Sequence, residues 1–136
     1  MSFPTMWMSA GQNVPNSAVA AAMDEVAFHK ALGAIIELVT KGNEYVQSTQ
    51  PWALAKDPEK RARLGTVLYN ALEASRVAAL LMAPFTPTAA QKLWEALVPG
   101  GTPVENARID RDGAWGGLAE GAHLPNACIV FPKIEV

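Results

Sequence analysis

The chain of 136 residues has one cysteine, Cys128, and two histidines, His29 and His123. A single thiol excludes an internal disulfide framework and any multi-thiolate metal site. Neither histidine has a second His, Cys or carboxylate at metal-ligand spacing. No long apolar run is present: the longest, Val77 to Phe85, is far short of the roughly 18–20 residues of a membrane span. An excess of positive charge is missing too, with 11 Lys and Arg against 13 Asp and Glu for a net charge of −2. This excludes a protein that grips nucleic acid by bulk basicity and leaves only a local patch or aromatic stacking. The N-terminus lacks a basic region followed by an apolar run, so no secretory signal is expected. No P-loop, dinucleotide glycine fingerprint or nucleophile elbow occurs. These absences point to a single soluble cytoplasmic domain that binds or scaffolds rather than catalyses.

Half the residues are apolar and 18% are charged, so a packed core is expected. The ten prolines avoid residues 16–50, 59–83 and 88–98, and most of the 24 alanines lie inside those gaps. An interior proline costs a helix about 3 kcal/mol and alanine is the best helix former, so each gap predicts a helix. The first would start at a cap on Asn16 or Ser17 and run to Gln50, burying Phe28, Leu32, Ile35, Val39, Gly42 and Val46 at helical spacing. The second opens at Asp57-Pro58-Glu59, in cap, N1 and dipole order. Its buried stripe is read as Leu64, Leu68, Ala71, Ser75, Ala78 and Met82, with Arg63, Thr66, Asn70 and Glu73 on a polar stripe. The third starts at Thr86-Pro87, buries Leu93, Trp94 and Leu97, and stops at Pro99-Gly100-Gly101.

Six of the ten glycines fall between Gly100 and Gly121. The tail therefore reads as irregular chain packed back over the helices, with Cys128 to Phe131 as a candidate short strand that has no clear partner. Cys128, in its apolar run, reads as a buried inert thiol. His29 and His123 read as structural or surface residues. The carboxylate pairs Asp24-Glu25 and Asp110/Asp112 sit at helix starts or in loops and read as non-catalytic.

The most informative segment runs from Gly42 to Lys56, where Trp52 follows Pro51 at the junction of two helices. Proline cannot extend the first helix, and it stiffens the turn that presents the indole. Two readings stay open. The ring plugs the top of a bundle, as large aromatic side chains commonly do. Or it is a platform for a nucleic-acid base, an interaction that contributes about 1–3 kcal/mol for any base. Just beyond it, Lys56, Lys60, Arg61 and Arg63 outnumber Asp57 and Glu59.

Asn43-x-Tyr45 followed by Pro51-Trp52-x-Leu54-Ala55-Lys56 resembles the signature of the C-terminal anticodon-binding domain of methionyl-tRNA synthetases. Phe28-x-x-Ala31-Leu32-x-x-Ile35 is similar to the family's preceding helix. Leu81 to Pro87 is similar to its helix–Pro–x–x–Pro–helix corner, and Trp115-Gly116-Gly117-Leu118 through Glu135 to the segment that ends its core. The resemblance spans about residues 5–136.

The resemblance implies an all-α fold, the class I synthetase anticodon-binding helical bundle with an irregular C-terminal tail, as one domain over residues 1–136. It implies that Trp52 stacks on the first base of the CAU anticodon of methionine tRNA and that Pro51 fixes the turn. Asn43 and Tyr45 would build the wall beneath, and Lys56 would neighbour a phosphate or base. No cofactor is expected for the chain itself; ATP and methionine belong to the parent enzyme's catalytic domain, which would be a partner. Neither DNA nor a membrane is expected as a partner. In one respect the chain departs from the family. The asparagine and arginine that the family carries one turn apart on its first helix have no match in Met1 to Met8, so that helix reads as truncated. The alternative is a helical-bundle protein–protein module without RNA binding, which the acidic charge and the missing reader residues favour. Salt separates the two, because RNA binding weakens steeply as salt rises.

Overall fold

The computed structural model describes residues 14–124, 130–131 and 133–134. Among the described residues six α-helices follow one another: α1 Val14–Asp24, α2 Phe28–Thr49, α3 Pro51–Leu54, α4 Arg61–Met82, α5 Pro87–Leu97 and α6 Ile109–Asp112. Single 3-10 turns occur at Pro58–Lys60 and Val104–Asn106, and there is no β-strand among the described residues. The fold is thus all-α. Helix α2 packs between α1 and α4, while α4 also carries α3 and α5.

The first proline gap holds two helices rather than one. The chain reverses at Glu25–Ala27, where the Ala27 amide donates to the Ala22 carbonyl at 2.8 Å and the Val26 amide to Met23 at 2.9 Å. That pair of bonds is a Schellman helix stop. Its left-handed position, usually a glycine, is Val26 with φ 55°. Nothing in the local sequence marks the break, because proline and glycine are both absent there. Asn16 is accordingly not a cap. It lies inside α1, buried, and its amide donates to the Gly113 carbonyl at 2.7 Å, tying α1 to the tail.

The buried face of α2 is rotated from the apolar stripe in the sequence. Ala31, Ile35, Leu38 and Tyr45 are buried, whereas Phe28 and Val39 are exposed. Only Ile35 is common to both sets. A one-residue offset turns a helix face by about 100°, and here alanine and tyrosine occupy the seam while bulkier aliphatics stand at its edge.

Helix α4 departs further. Val67, Asn70, Glu73, Ala74, Arg76, Val77 and the run from Ala78 to Leu81 are buried, whereas Leu68 is exposed. Glu73 and Asn70 are therefore interior residues. Glu73 takes three amide hydrogen bonds, from Gly116 at 2.8 Å, Gly117 at 2.9 Å and Leu118 at 3.0 Å. Arg76 donates to both Glu73 oxygens and to the carbonyls of Asp112 and Ala114. The tail is thus held by a buried ion pair as well as by apolar anchors such as Leu118.

Helix α5 lies where the sequence places it, with Ala90, Trp94 and Leu97 buried and Leu93 at the edge. The Trp94 indole N–H donates to the Thr102 carbonyl at 2.9 Å, closing the Pro99–Gly101 turn onto the helix. In the tail, Val130 and Phe131 form bends instead of a strand. Cys128 and Ile129 lie outside the described residues, as do Met1 to Met8, on which the expectation of a truncated first helix rests.

Candidate nucleic-acid interface

The corner that carries Trp52 is built by the end of α2. The Ser48 and Thr49 hydroxyls both donate to the Tyr45 carbonyl, at 3.0 and 2.7 Å, and the Gln50 amide donates to Val46. Gln50 then takes a left-handed conformation, φ 47° and ψ 64°. Pro51 disfavours the right-handed helical region for the residue before it, so helix α2 stops there. The Gln50 carbonyl in turn accepts the Ala53 and Leu54 amides, at 2.9 and 3.2 Å, and so starts α3 at once. Pro51 occupies the first position of α3, where its missing N–H costs nothing.

A helix of one turn separates the fates of its side chains. Leu54 packs against the core cluster that includes Tyr45 and Val67. Trp52, two residues earlier and so on the other side of the turn, is 51% exposed. The indole therefore does not plug the bundle. It stands as an apolar face at the outer edge of the α2–α3 junction.

Beneath the corner, the Asn70 amide donates to the Tyr45 hydroxyl at 3.0 Å, with both side chains buried. This bond ties α2 to α4 a short way below Trp52. Tyr45 is thus a largely buried residue that links α2 to α4. Asn43 stands apart. It is exposed and lines a narrow cleft of about 260 Å³ with Val46, Ala71 and Ser75, between α2 and α4. The structure therefore brings Pro51, Trp52 and Lys56 onto one corner and leaves Asn43 on a neighbouring groove.

Charge around the corner is unevenly compensated. Asp57 caps the following 3-10 turn by accepting the Glu59 amide at 3.1 Å, and it pairs with Lys60 at 3.2 Å. The hydrogen-bonded Lys60 ammonium, with the Glu59 amide, holds the Asp57 carboxyl below the usual carboxylate range. Lys56, Arg61 and Arg63 are exposed and make no ion pair among the described residues. Elsewhere among the described residues, Lys30, Lys41, Arg76, Arg108 and Arg111 are each matched by a nearby carboxylate, whereas the exposed Lys92 and Lys133 are not. Three of the five unmatched cations among the described residues, Lys56, Arg61 and Arg63, thus lie within a dozen residues of Trp52.

The residues that sequence reasoning misplaced are those that support the corner, Asn70, and the tail, Glu73. Asn70 and Glu73 read as solvated because they are polar. The available signal was their setting: Glu73-x-x-Arg76 opens onto an unbroken run of Val, Ala and Leu, where a lone charge could not stay unpaired. Among the described residues no group of His, Cys, Asp and Glu could hold a metal ion. His29 and His123 are exposed. No helix is long and apolar enough to cross a membrane among the described residues.

Comparison with known proteins places this geometry. Residues 9–136 match the family model described as the anticodon binding domain of methionyl tRNA ligase. The methionine–tRNA ligase of Caldanaerobacter subterraneus is 40% identical over 129 residues, covering 95% of this chain and 19% of the ligase. That of Halalkalibacterium halodurans is 46% identical over 115 residues, covering 85% and 17%. The crystal structure of the apo form of Mycobacterium tuberculosis methionyl-tRNA synthetase superposes with a TM-score of 0.77 at 33% identity, covering 89% of this chain and 24% of that one. The chain spans about a fifth of the length of the curated relatives it matches.

Proposed function

The chain belongs to the family of methionyl-tRNA ligase anticodon-binding domains, and from that premise we propose that it binds the anticodon loop of methionine tRNA through the face of Trp52. In this reading the first base of CAU stacks on the indole, Pro51 sets the direction of the ring, and Lys56 neutralises an adjacent phosphate. Asn43 contributes from the neighbouring groove. The observation that carries the proposal is the 51% exposure of Trp52 on a corner whose backbone is fixed from both sides. Stacking suits an acidic chain, because it supplies about 1–3 kcal/mol per base without demanding bulk positive charge.

The ATP-dependent joining of methionine to tRNA would take place in a catalytic domain of the parent protein, in the cytoplasm, with ATP and methionine bound there. This chain needs no cofactor for the recognition step. The test is a titration of tryptophan fluorescence with anticodon stem-loops at fixed salt. A CAU loop should quench emission, a loop with another first base should quench less, and Trp52→Phe should abolish the difference. Curves indifferent to both the loop sequence and Trp52 would overturn the proposal.

A further inference from the structure

Arg61 and Arg63 are both exposed and, among the described residues, free of ion pairs at the start of α4, yet the helix period sends them in different directions. From Arg63, steps of four, seven and eleven residues reach Val67, Asn70 and Ala74, all buried. Asn70 is bonded to Tyr45 of α2, and Val67 shares the core cluster with Tyr45 and Leu54. Arg63 therefore occupies the stripe of α4 that faces the α2–α3 junction, one turn beyond the last covered residue. From Arg61 the same steps reach Gly65, Leu68 and Leu72, which line a separate groove with Leu118 and Glu120 of the tail. Glu59, four residues before Arg63 and the natural helical partner for it, makes no ion pair with it.

We propose that Arg63 is an RNA-contacting residue that binds a backbone phosphate next to the base held on Trp52, whereas Arg61 is not. The proposal rests on the anticodon-binding reading and adds to it a second anchor across the corner from Lys56. A guanidinium suits this place because its planar fork can hold two phosphate oxygens, and because it stays charged under all working conditions. A ring that stacks any base fixes no direction along the strand. A cation on one side of it does, because phosphate contacts set register while bases are read elsewhere.

The experiment is the salt dependence of stem-loop binding by the full chain, measured for Arg63→Ala, Arg61→Ala and Arg63→Lys. Both positions are exposed, so circular dichroism should show unchanged helicity. Arg63→Ala should flatten the plot of log affinity against log salt by about 0.7 for one lost single-strand phosphate contact, and should weaken binding several-fold at low salt. Arg61→Ala removes the same formal charge and should leave the slope unchanged. Arg63→Lys should restore the slope while recovering only part of the affinity. If binding still depends on Trp52 but the two alanine variants behave alike, charge acts only in bulk and the proposal for Arg63 is overturned. If the parent chain shows no Trp52-dependent binding at all, the anticodon reading fails and Arg63 falls with it.

Discussion

Glu73 and Arg76, one turn apart on α4, form an ion pair at 2.8 Å with side chains 0% and 3% exposed, and together they hold the chain from Asp112 to Leu118. Every polar atom of the pair is used. The carboxylate accepts the amides of Gly116, Gly117 and Leu118, and the guanidinium reaches two tail carbonyls. Gly117 is required by this closeness, since a β-carbon there would lie 2.6 Å from the Arg76 Cζ. The Arg76 guanidinium also lies 5.8 Å from the centre of the Trp94 ring, which links the pair to α5.

Breaking this pair from one side should be costly. Arg76→Met leaves a buried carboxylate without its counter-charge, a change expected to cost about 3–5 kcal/mol in thermal or urea unfolding. Burial pushes the Glu73 carboxyl up, but the hydrogen bonds and charge of Arg76, with the Gly116 and Gly117 amides, bring it below its ordinary value. A carboxyl with a lowered folded value contributes stability that is fully present above the ordinary carboxylate range. That contribution is lost as pH falls through the folded value. Urea midpoints measured from neutral pH down to about pH 3 should therefore fall steeply in the parent and less steeply in Glu73→Gln. Parallel curves for the two proteins would show that Glu73 does not carry this dependence.

The helix stop at Val26 should yield to substitution in the opposite direction. A β-branched residue in the left-handed region carries a cost of about 1–2 kcal/mol that glycine avoids. Glycine gives some of that back through a freer unfolded chain. Val26 is 68% exposed, so little packing is lost with its side chain. Val26→Gly should raise stability by about 0.5–1 kcal/mol, a gain of a few degrees in Tm. A lower Tm would mean that the valine side chain contributes more than its exposure indicates.

Tyr45 tests the difference between supporting the corner and reading a base. Its hydroxyl is the partner of the buried Asn70 amide. Tyr45→Phe leaves that donor short of an acceptor and should cost about 1–3 kcal/mol of stability. Because the ring is buried under the corner, discrimination between CAU and other stem-loops should be unchanged at a temperature where the variant remains folded. A loss of discrimination without a loss of stability would make Tyr45 a reader.

Much of this arrangement is legible in the sequence wherever a residue acts through its own backbone. Pro51, Pro84 and Pro87 mark the ends of α2 and α4 and the starts of α3 and α5 to within a few residues, and Pro58 opens the turn that leads into α4. Asp57 caps as its type and position demand. What stays hidden depends on distant partners. The stop at Val26 uses a residue that local rules exclude. The buried face of α2 is chosen by α1 and α4 together, which the stripe of aliphatic residues does not encode. The interior places of Asn70 and Glu73 depend on Tyr45 and on glycines more than 40 residues away in sequence, since Glu73 and Gly116 are 43 apart. The Trp-Gly-Gly-Leu element at residues 115–118 shows its physical meaning only when set against Glu73. Of the four candidate site residues, the corner trio follows from Pro51, and the position of Asn43 does not.

Trp52 gives the most direct separation of stability from recognition. A tryptophan that closes a core and one that offers a face to a ligand both weaken the protein's function when removed, but they do so through different quantities. Loss of a buried aromatic ring costs about 3–5 kcal/mol of stability through the cavity it leaves. At 51% exposure, Trp52 should fall well below that, and Trp52→Ala should lower the Tm only slightly. The same change should remove about 1–3 kcal/mol of stem-loop affinity, a rise in Kd of roughly 5- to 150-fold, if a base stacks there. Trp52→Phe, which keeps a smaller aromatic face, should fall between the parent and the alanine variant in affinity. Paired measurements on the same preparations decide the matter. A large shift in Tm with unchanged affinity would return Trp52 to the core, and an unchanged Tm with unchanged affinity would move the RNA-binding face elsewhere on the bundle.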